Sequence, residues 1–343
     1  MKKISPGFIM PSAAFTLKKN QVSQYLHLER SPEVGDVVYG RIARIGHHQS
    51  LENRFGRIHK ISVGSRALFV FGNRYAPDHY EGIVPEQFTA DVDLLARSGV
   101  IGEVRHRNSI LQEATRVRIM GYVVDADGKP LNTRNYPSFQ PSQTVKDPKK
   151  KRAKLILVVG TAMNSGKSVT AAACCWALSA MGYNVRASKI TGTASLKDIL
   201  HMNDAGAGIY TDFTCFGYPS TYLCSREEML RIFNQTDLKY GNTASNFWVV
   251  EFADGILQRE TAMLLESDDV KSRIHKLIFC AGDALGAIGG IKVLQDRFGL
   301  APDAISGVCS SSPLAVQELR EFTNVPVFDN MARDLNQMSE ILV

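Results

Sequence analysis

The sequence predicts two modules of different class: a small all-β, barrel-like domain over residues 1–136 and an α/β domain over residues 154–343. The second is expected to be a doubly wound, mostly parallel sheet, and a basic, proline-containing linker at 137–153 joins the two. Three observations carry this. Residues 34–124 read as short alternating strands separated by glycine turns, whereas apolar runs and helical patterns alternate after residue 154. Charge divides at the same place: residues 1–154 carry 25 Lys and Arg against 14 Asp and Glu, and residues 155–343 carry 15 against 20. Such asymmetry suggests modules with different partners.

In the first module, "GDVVYGRIARIG", "GRIHKISVG", "RALFVFGN" and "RVRIMGYVVDADG" are the strand candidates, with Val38, Ile42 and Ile45 alternating along the first. Asp125 to Gly128 reads as a turn, and "TADVDLLARSGVIG" as a short helix ended by Gly99. The linker "PSFQPSQTVKDPKKKRAK" holds three prolines and a basic run that is either solvated or in contact with phosphates. Buried parallel strands are expected at Leu155–Val159, Val185–Ile190, Phe247–Phe252, Lys276–Ala281, Ala304–Val308 and Val325–Phe328. Helices are expected at Ser168–Met181, Arg226–Phe233, Leu285–Phe298 and Leu314–Phe322. Ligands of such a sheet bind at the C-terminal ends of its strands.

Whole-chain features restrict the setting. Of 343 residues, 44% are hydrophobic and 22% charged, as in an ordinary soluble protein. No apolar run reaches the length of a membrane helix, and Pro6 and Pro11 interrupt the N-terminal segment, against a signal peptide. The six cysteines form no CxxC pair, which argues against disulfides or zinc and for a reducing cytoplasm. No His or Cys metal cluster is visible, and His201 reads as structural or exposed. Cys174-Cys175 reads as packing.

The chemistry concentrates at "LILVVGTAMNSGKSVTAAACC". Gly160 lets the chain turn after a strand, and Gly166 lets backbone N–H groups approach phosphate oxygens. Lys167 is placed to meet the β- and γ-phosphates, Ser168 to ligate Mg²⁺, and the helix N-terminus adds positive potential. Gly160, Thr161, Asn164, Ser165, Gly166, Lys167, Ser168 and Val169 are therefore the candidate nucleotide contacts, with ATP the expected cofactor and GTP the alternative. Five residues, not the usual four, separate Gly160 from Gly166.

This segment, continued through "WALSAMGYNVRASKITG", resembles the dethiobiotin synthetase and cobyrinic acid synthetase group of P-loop proteins. The matching positions are Gly160, Thr161, Gly166, Lys167, Ser168, Gly182, Val185, Lys189 and Gly192. The resemblance covers roughly residues 154–330. It implies that Lys189, on the second strand, faces the substrate and the γ-phosphate. The signature lysine of a plasmid-partition ATPase would replace Thr161, which disfavours that type.

"NFWVVEFADG" runs an apolar strand into Glu251, a carboxylate placed to hold Mg²⁺, with Asp254 as a substitute. Asp198 is a further metal candidate in the segment "SLKDILHMNDAGAGIYTDFTCFGYPSTYL". Asp204, Asp212, Asp254 and Arg259 are candidate substrate contacts. The leading functional expectation is a Mg-ATP-dependent enzyme that transfers a phosphoryl group to a small-molecule acceptor, with Lys167, Lys189 and Glu251 catalytic. The alternative is a nucleotide-switched regulatory or assembly ATPase whose basic N-terminal domain binds a macromolecular partner, nucleic acid among the candidates. No membrane partner is expected, and a homo-oligomer is.

Overall fold

The structure, a computed structural model, describes residues 1–141 and 151–343; residues 142–150 of the expected linker lie outside the described residues. The chain forms two compact units. One comprises Met1–Gln140 with two later excursions, Gly192–Lys197 and Phe213–Leu223; the other comprises Pro141–Thr191, Asp198–Asp212 and Cys224–Val343.

In the first unit, five strands close on themselves: β1 (Val37–Arg44), β2 (Arg66–Phe71), β3 (Asp91–Leu94), β4 (Val100–Arg107) and β5 (Arg116–Val124). β5 pairs with β1 and β1 with β2, both antiparallel, while β2 and β4 run parallel. β3 then pairs with both β4 and β5, completing the ring. Alternate side chains fill its interior, including Val38 and Ile42 from β1, Phe69 and Phe71 from β2, and Val117 and Ile119 from β5. The opposite set, Val37, Tyr39, Leu68 and Val70, packs under the N-terminal residues Ala13, Ala14 and Leu17.

The helix expected before Gly99 is instead strand β3 and a turn. Val92 and Leu94 are buried while Asp91 and Asp93 are half-exposed, a period of two. Gly99 closes the turn at φ 88°, where its N–H donates to the Ala96 carbonyl at 3.0 Å.

The second unit is built on a six-stranded parallel sheet: β6 (Lys154–Gly160), β7 (Asn184–Lys189), β8 (Ile209–Asp212), β9 (Asn246–Glu251), β10 (Ile274–Cys280) and β11 (Ala304–Ser306). The spatial order is β8-β7-β9-β6-β10-β11. Residues 155–160 of β6 are all buried, as a central parallel strand requires. The α-helices of seven residues or more are α1 (Lys167–Ala180), α2 (Leu196–Asp204), α3 (Arg226–Tyr240), α4 (Arg259–Leu265), α5 (Ala284–Val293), α6 (Pro313–Phe322) and α7 (Leu335–Leu342). From β6 the chain crosses to β7 on one side, and from β9 it crosses back to β10 on the other. Right-handed crossovers therefore place α1 and α4 on opposite faces, with the direction reversing beside β6.

Local signals set several boundaries. Ser225 accepts from the Glu228 N–H at 3.2 Å while the Glu228 carboxylate accepts from the Ser225 N–H at 2.9 Å, a capping box that starts α3. The expected strand Val325–Phe328 is a single parallel bridge between Ile305 and Val327. Pro326 has no N–H and contributes its carbonyl alone, accepting from Ile305 at 2.8 Å. β8 and α2, absent from the expected elements, occupy the segment between the second and third expected strands.

Two adjacent glycines of α5 separate packing from propensity. A Cβ at Gly290 would stand 2.2 Å from the Phe279 ring, whereas one at Gly289 meets nothing within 4 Å. Gly290→Ala is expected to destabilise by about 1–3 kcal/mol through overpacking. Gly289→Ala is expected to stabilise by roughly 0.5–1 kcal/mol through helix propensity. Urea midpoints of the two variants test both signs.

Candidate active site at the strand ends

The loop between β6 and α1 is closed by its own backbone and by neighbouring strand ends. The Thr161 N–H donates to the Cys280 carbonyl at 2.9 Å, and the Ser165 carbonyl accepts from Val308 at 3.2 Å. Asn164 and Gly166 take left-handed conformations, φ 61° and 94°. Gly166 is the residue before α1, so the first N–H groups of that helix open onto the loop. Lys167 is buried and folds over the loop, donating to the Ala162 carbonyl at 2.6 Å and lying 3.4 Å from the Ser165 hydroxyl. Val169 follows in the first turn of α1.

Two glycines not singled out from the sequence shape this loop from outside. A Cβ at Gly307 would stand 2.2 Å from the Ser165 carbonyl oxygen, and one at Gly255 would stand 2.3 Å from that of Thr161. Each follows directly or closely on a strand end, which is the signal that could have found them. Thr170, in α1, accepts from the buried Asn330 amide at 2.8 Å and donates to Ser306 at 3.2 Å. Thr191 and Thr261 both donate to the Ala253 carbonyl, the former at 2.5 Å, and so hold the segment that carries Asp254.

The strand register brings the charged groups together. Lys189 stands beside Glu251 across β7 and β9, and Glu251 beside Val158 across β9 and β6. The Ser168 hydroxyl donates to Glu251 Oε1 at 3.0 Å, and Lys189 Nζ lies 3.4 Å from the same oxygen. Lys189 also donates to Asp198 of α2. Glu251 is 1% exposed, and its Oε2 has no hydrogen-bond partner among the described residues.

Burial lowers the pKa of Lys189, but the carboxylates of Asp198 and Glu251 outweigh it and hold the ammonium well above the ordinary lysine value. At Lys167 burial wins: its pKa lies below the ordinary value, with Glu251 and Asp254 opposing the shift. The two lysines thus share one acidic neighbourhood with opposite balances. Burial likewise raises the thiols of Cys174 and Cys175, in accord with a packing role.

The buried, unpartnered Oε2 of Glu251 and the adjacent Ser168 hydroxyl are hard oxygen donors, a set that fits Mg²⁺. Other sequence candidates lie at varying removes. Asp212 ends β8, buried and in register with Lys189. Asp204 is exposed at the end of α2, six residues beyond Asp198 and so roughly 240° round the helix from it. Arg259 pairs with Glu260 and donates to the Cys224 carbonyl at 2.9 Å.

No protein-family model matches the chain, and no curated protein matches it. Among solved structures it is similar to the signal recognition particle receptor FtsY from Elizabethkingia anophelis in complex with GDP, at 12% identity and a TM-score of 0.37. That likeness covers 57% of this chain and 61% of the other. It is also similar to a ParA family ATPase from Chlorobium tepidum TLS, at 14% identity, 56% and 91% coverage, and a TM-score of 0.34. The chain therefore spans about three-fifths of the length of the first of these.

Removing Lys189 would leave two carboxylates facing each other in a buried site. Lys189→Met is expected to cost about 3–5 kcal/mol, and adding Glu251→Gln to restore part of that loss. Denaturant midpoints of the single and double variants measure it.

Proposed function

We propose that the loop Gly160–Val169 binds a nucleoside triphosphate with Mg²⁺ and that the protein transfers the terminal phosphoryl group to a small acceptor. The observation that carries this reading is the buried Lys189 ammonium, held between Asp198 and Glu251 beside Lys167 and Ser168. A loop that merely held a nucleotide would not need a second buried cation at the neighbouring strand end. The expected resemblance to the dethiobiotin synthetase group agrees with that placement, and ATP is the expected nucleotide with GTP as its competitor.

In this reading the backbone N–H groups around Gly166 and the N-terminus of α1 hold the phosphates. Lys167 exchanges its Ala162 carbonyl contact for phosphate oxygens and offsets charge that develops between the β- and γ-positions. Ser168 and Glu251 would hold Mg²⁺, which would supply further charge neutralisation. Lys189 draws the γ-phosphoryl and an anionic acceptor, a carboxylate by preference, to one side of the sheet. Asp198 and Glu251 keep that lysine charged and aimed. The acceptor oxygen forms a bond to phosphorus as the bond to the bridging oxygen breaks, and the nucleoside diphosphate departs.

A second reading, a nucleotide-switched regulator, is favoured by one observation. The chain leaves this unit directly after Thr191 and Asp212 to contribute residues 192–197 and 213–223 to the β-rich unit. A change at the strand ends is then continuous along the chain with that unit, where a macromolecular partner, nucleic acid included, would bind.

Product analysis separates the readings. With labelled ATP or GTP, phosphoryl transfer yields a phosphorylated small acceptor, and candidate carboxylates raise turnover. A switch yields inorganic phosphate alone, and turnover rises with a macromolecule. Lys167→Ala is expected to lower turnover about 10²–10³-fold. Normal hydrolysis by that variant would sink both readings.

A further inference from the structure

Three histidines outside the strand-end site meet in the β-rich unit. His47 Nε2 lies 3.1 Å from His79 Nδ1, and one nitrogen from each of His47, His48 and His79 lies within 4.8 Å of the others. The sequence showed no such cluster, because His48 and His79 come from loops 31 residues apart. Their ring centroids are separated by 4.9, 5.1 and 5.9 Å. Three imidazoles around one tetrahedral zinc, with Zn–N of about 2.0–2.1 Å, place their centroids roughly 5 Å apart.

The loops that carry the rings are fixed at the backbone. Thr115, fully buried, donates to the His48 carbonyl at 2.6 Å and accepts from the Gly46 N–H at 2.8 Å. The His47 N–H donates to the Glu113 carbonyl at 2.9 Å, and a Cβ at Gly46 would collide with that same carbonyl oxygen at 2.2 Å. On the other loop the His79 N–H donates to Ala76 at 2.8 Å and its carbonyl accepts from Asn108 at 3.0 Å. His48 Nε2 stands 2.9 Å from the Leu95 carbonyl and 3.1 Å from the Arg74 guanidinium; in the tautomer that donates to Leu95, the Nδ1 lone pair is available. A backbone carbonyl on the far nitrogen is the usual support of a ligating imidazole.

We propose that His47, His48 and His79 form a binding site for a divalent transition metal of borderline softness, zinc foremost, with water in the fourth position. Nitrogen-only donors suit such ions and not Mg²⁺ or Ca²⁺. His47 and His79 are half-buried, so the open position reaches solvent, while His48 is buried behind them. The Arg74 guanidinium, 3.1 Å from His48 Nε2 and bonded to the Leu95 carbonyl, opposes a dication. That cation makes micromolar affinity the expectation rather than the tighter binding of a closed structural site.

The full chain, stripped with a chelator and then freed of it, is titrated with zinc by calorimetry in millimolar Mg²⁺. One equivalent is expected to bind, and His79→Gln and His48→Gln are each expected to weaken it at least about 100-fold. Absence of stoichiometric uptake at micromolar zinc, or uptake unchanged in both variants, would overturn the site. Co²⁺ added to the unmodified chain provides a readout independent of variant folding. Visible bands of tetrahedral intensity without thiolate charge transfer support the three-histidine site, and thiolate bands place the metal on cysteine and refute it.

Discussion

A buried ammonium needs counter-charge, and the arrangement around Lys189 follows from that need. Leaving a lysine unpaired in an apolar interior would cost several kcal/mol or force it to lose its proton. Here two carboxylates answer it: Asp198 from α2 and Glu251 from β9. Glu251 can do so because β7 and β9 are neighbours in register, and it reaches Ser168 because β9 also adjoins β6. A strand order in which β7 lay beside β6 would separate these groups. The topology and the charge constellation are thus one constraint seen at two scales. Asp198 and Glu251 flank Lys189, Lys167 lies in the same acidic neighbourhood, and one buried Glu251 oxygen is left without a hydrogen-bond partner among the described residues.

Much of this was legible in the sequence because it is local or periodic. The run Leu155–Val159, the glycines of the loop and the alanine-rich start of α1 each announce their structure within a few residues. Glu251 was legible as a strand-end residue because an apolar run leads directly into it, and Lys189 through the resemblance of its segment to the dethiobiotin synthetase group. What escaped was whatever depended on partners distant in sequence. α2 carries just two buried side chains, Ile199 and Met202, too short a stripe to outweigh the glycines and acids around it. β8 is four residues long and its first two are exposed. The misread helix before Gly99 failed for another reason: Val92 and Leu94 alternate over too short a span for period two to dominate. The clamp glycines Gly255 and Gly307, and the meeting of His47, His48 and His79, become visible once strand ends are placed.

The five-residue interval between Gly160 and Gly166 finds its physical account in the same distant contacts. An extra residue in a tight loop ahead of a helix must be absorbed without blocking the helix N-terminus. Asn164 absorbs it by entering the left-handed region, which its short polar side chain tolerates better than most. The Ser165 carbonyl is satisfied by the Val308 N–H. That approach is so close that position 307 admits no Cβ. The Ala162 carbonyl, the next oxygen that could repel an anion, is engaged by the Lys167 ammonium. The longer loop is therefore held by the backbone N–H of Val308, two residues beyond the end of β11. The clamp from the segment just after β11 accounts for how a five-residue interval between Gly160 and Gly166 is held ahead of α1.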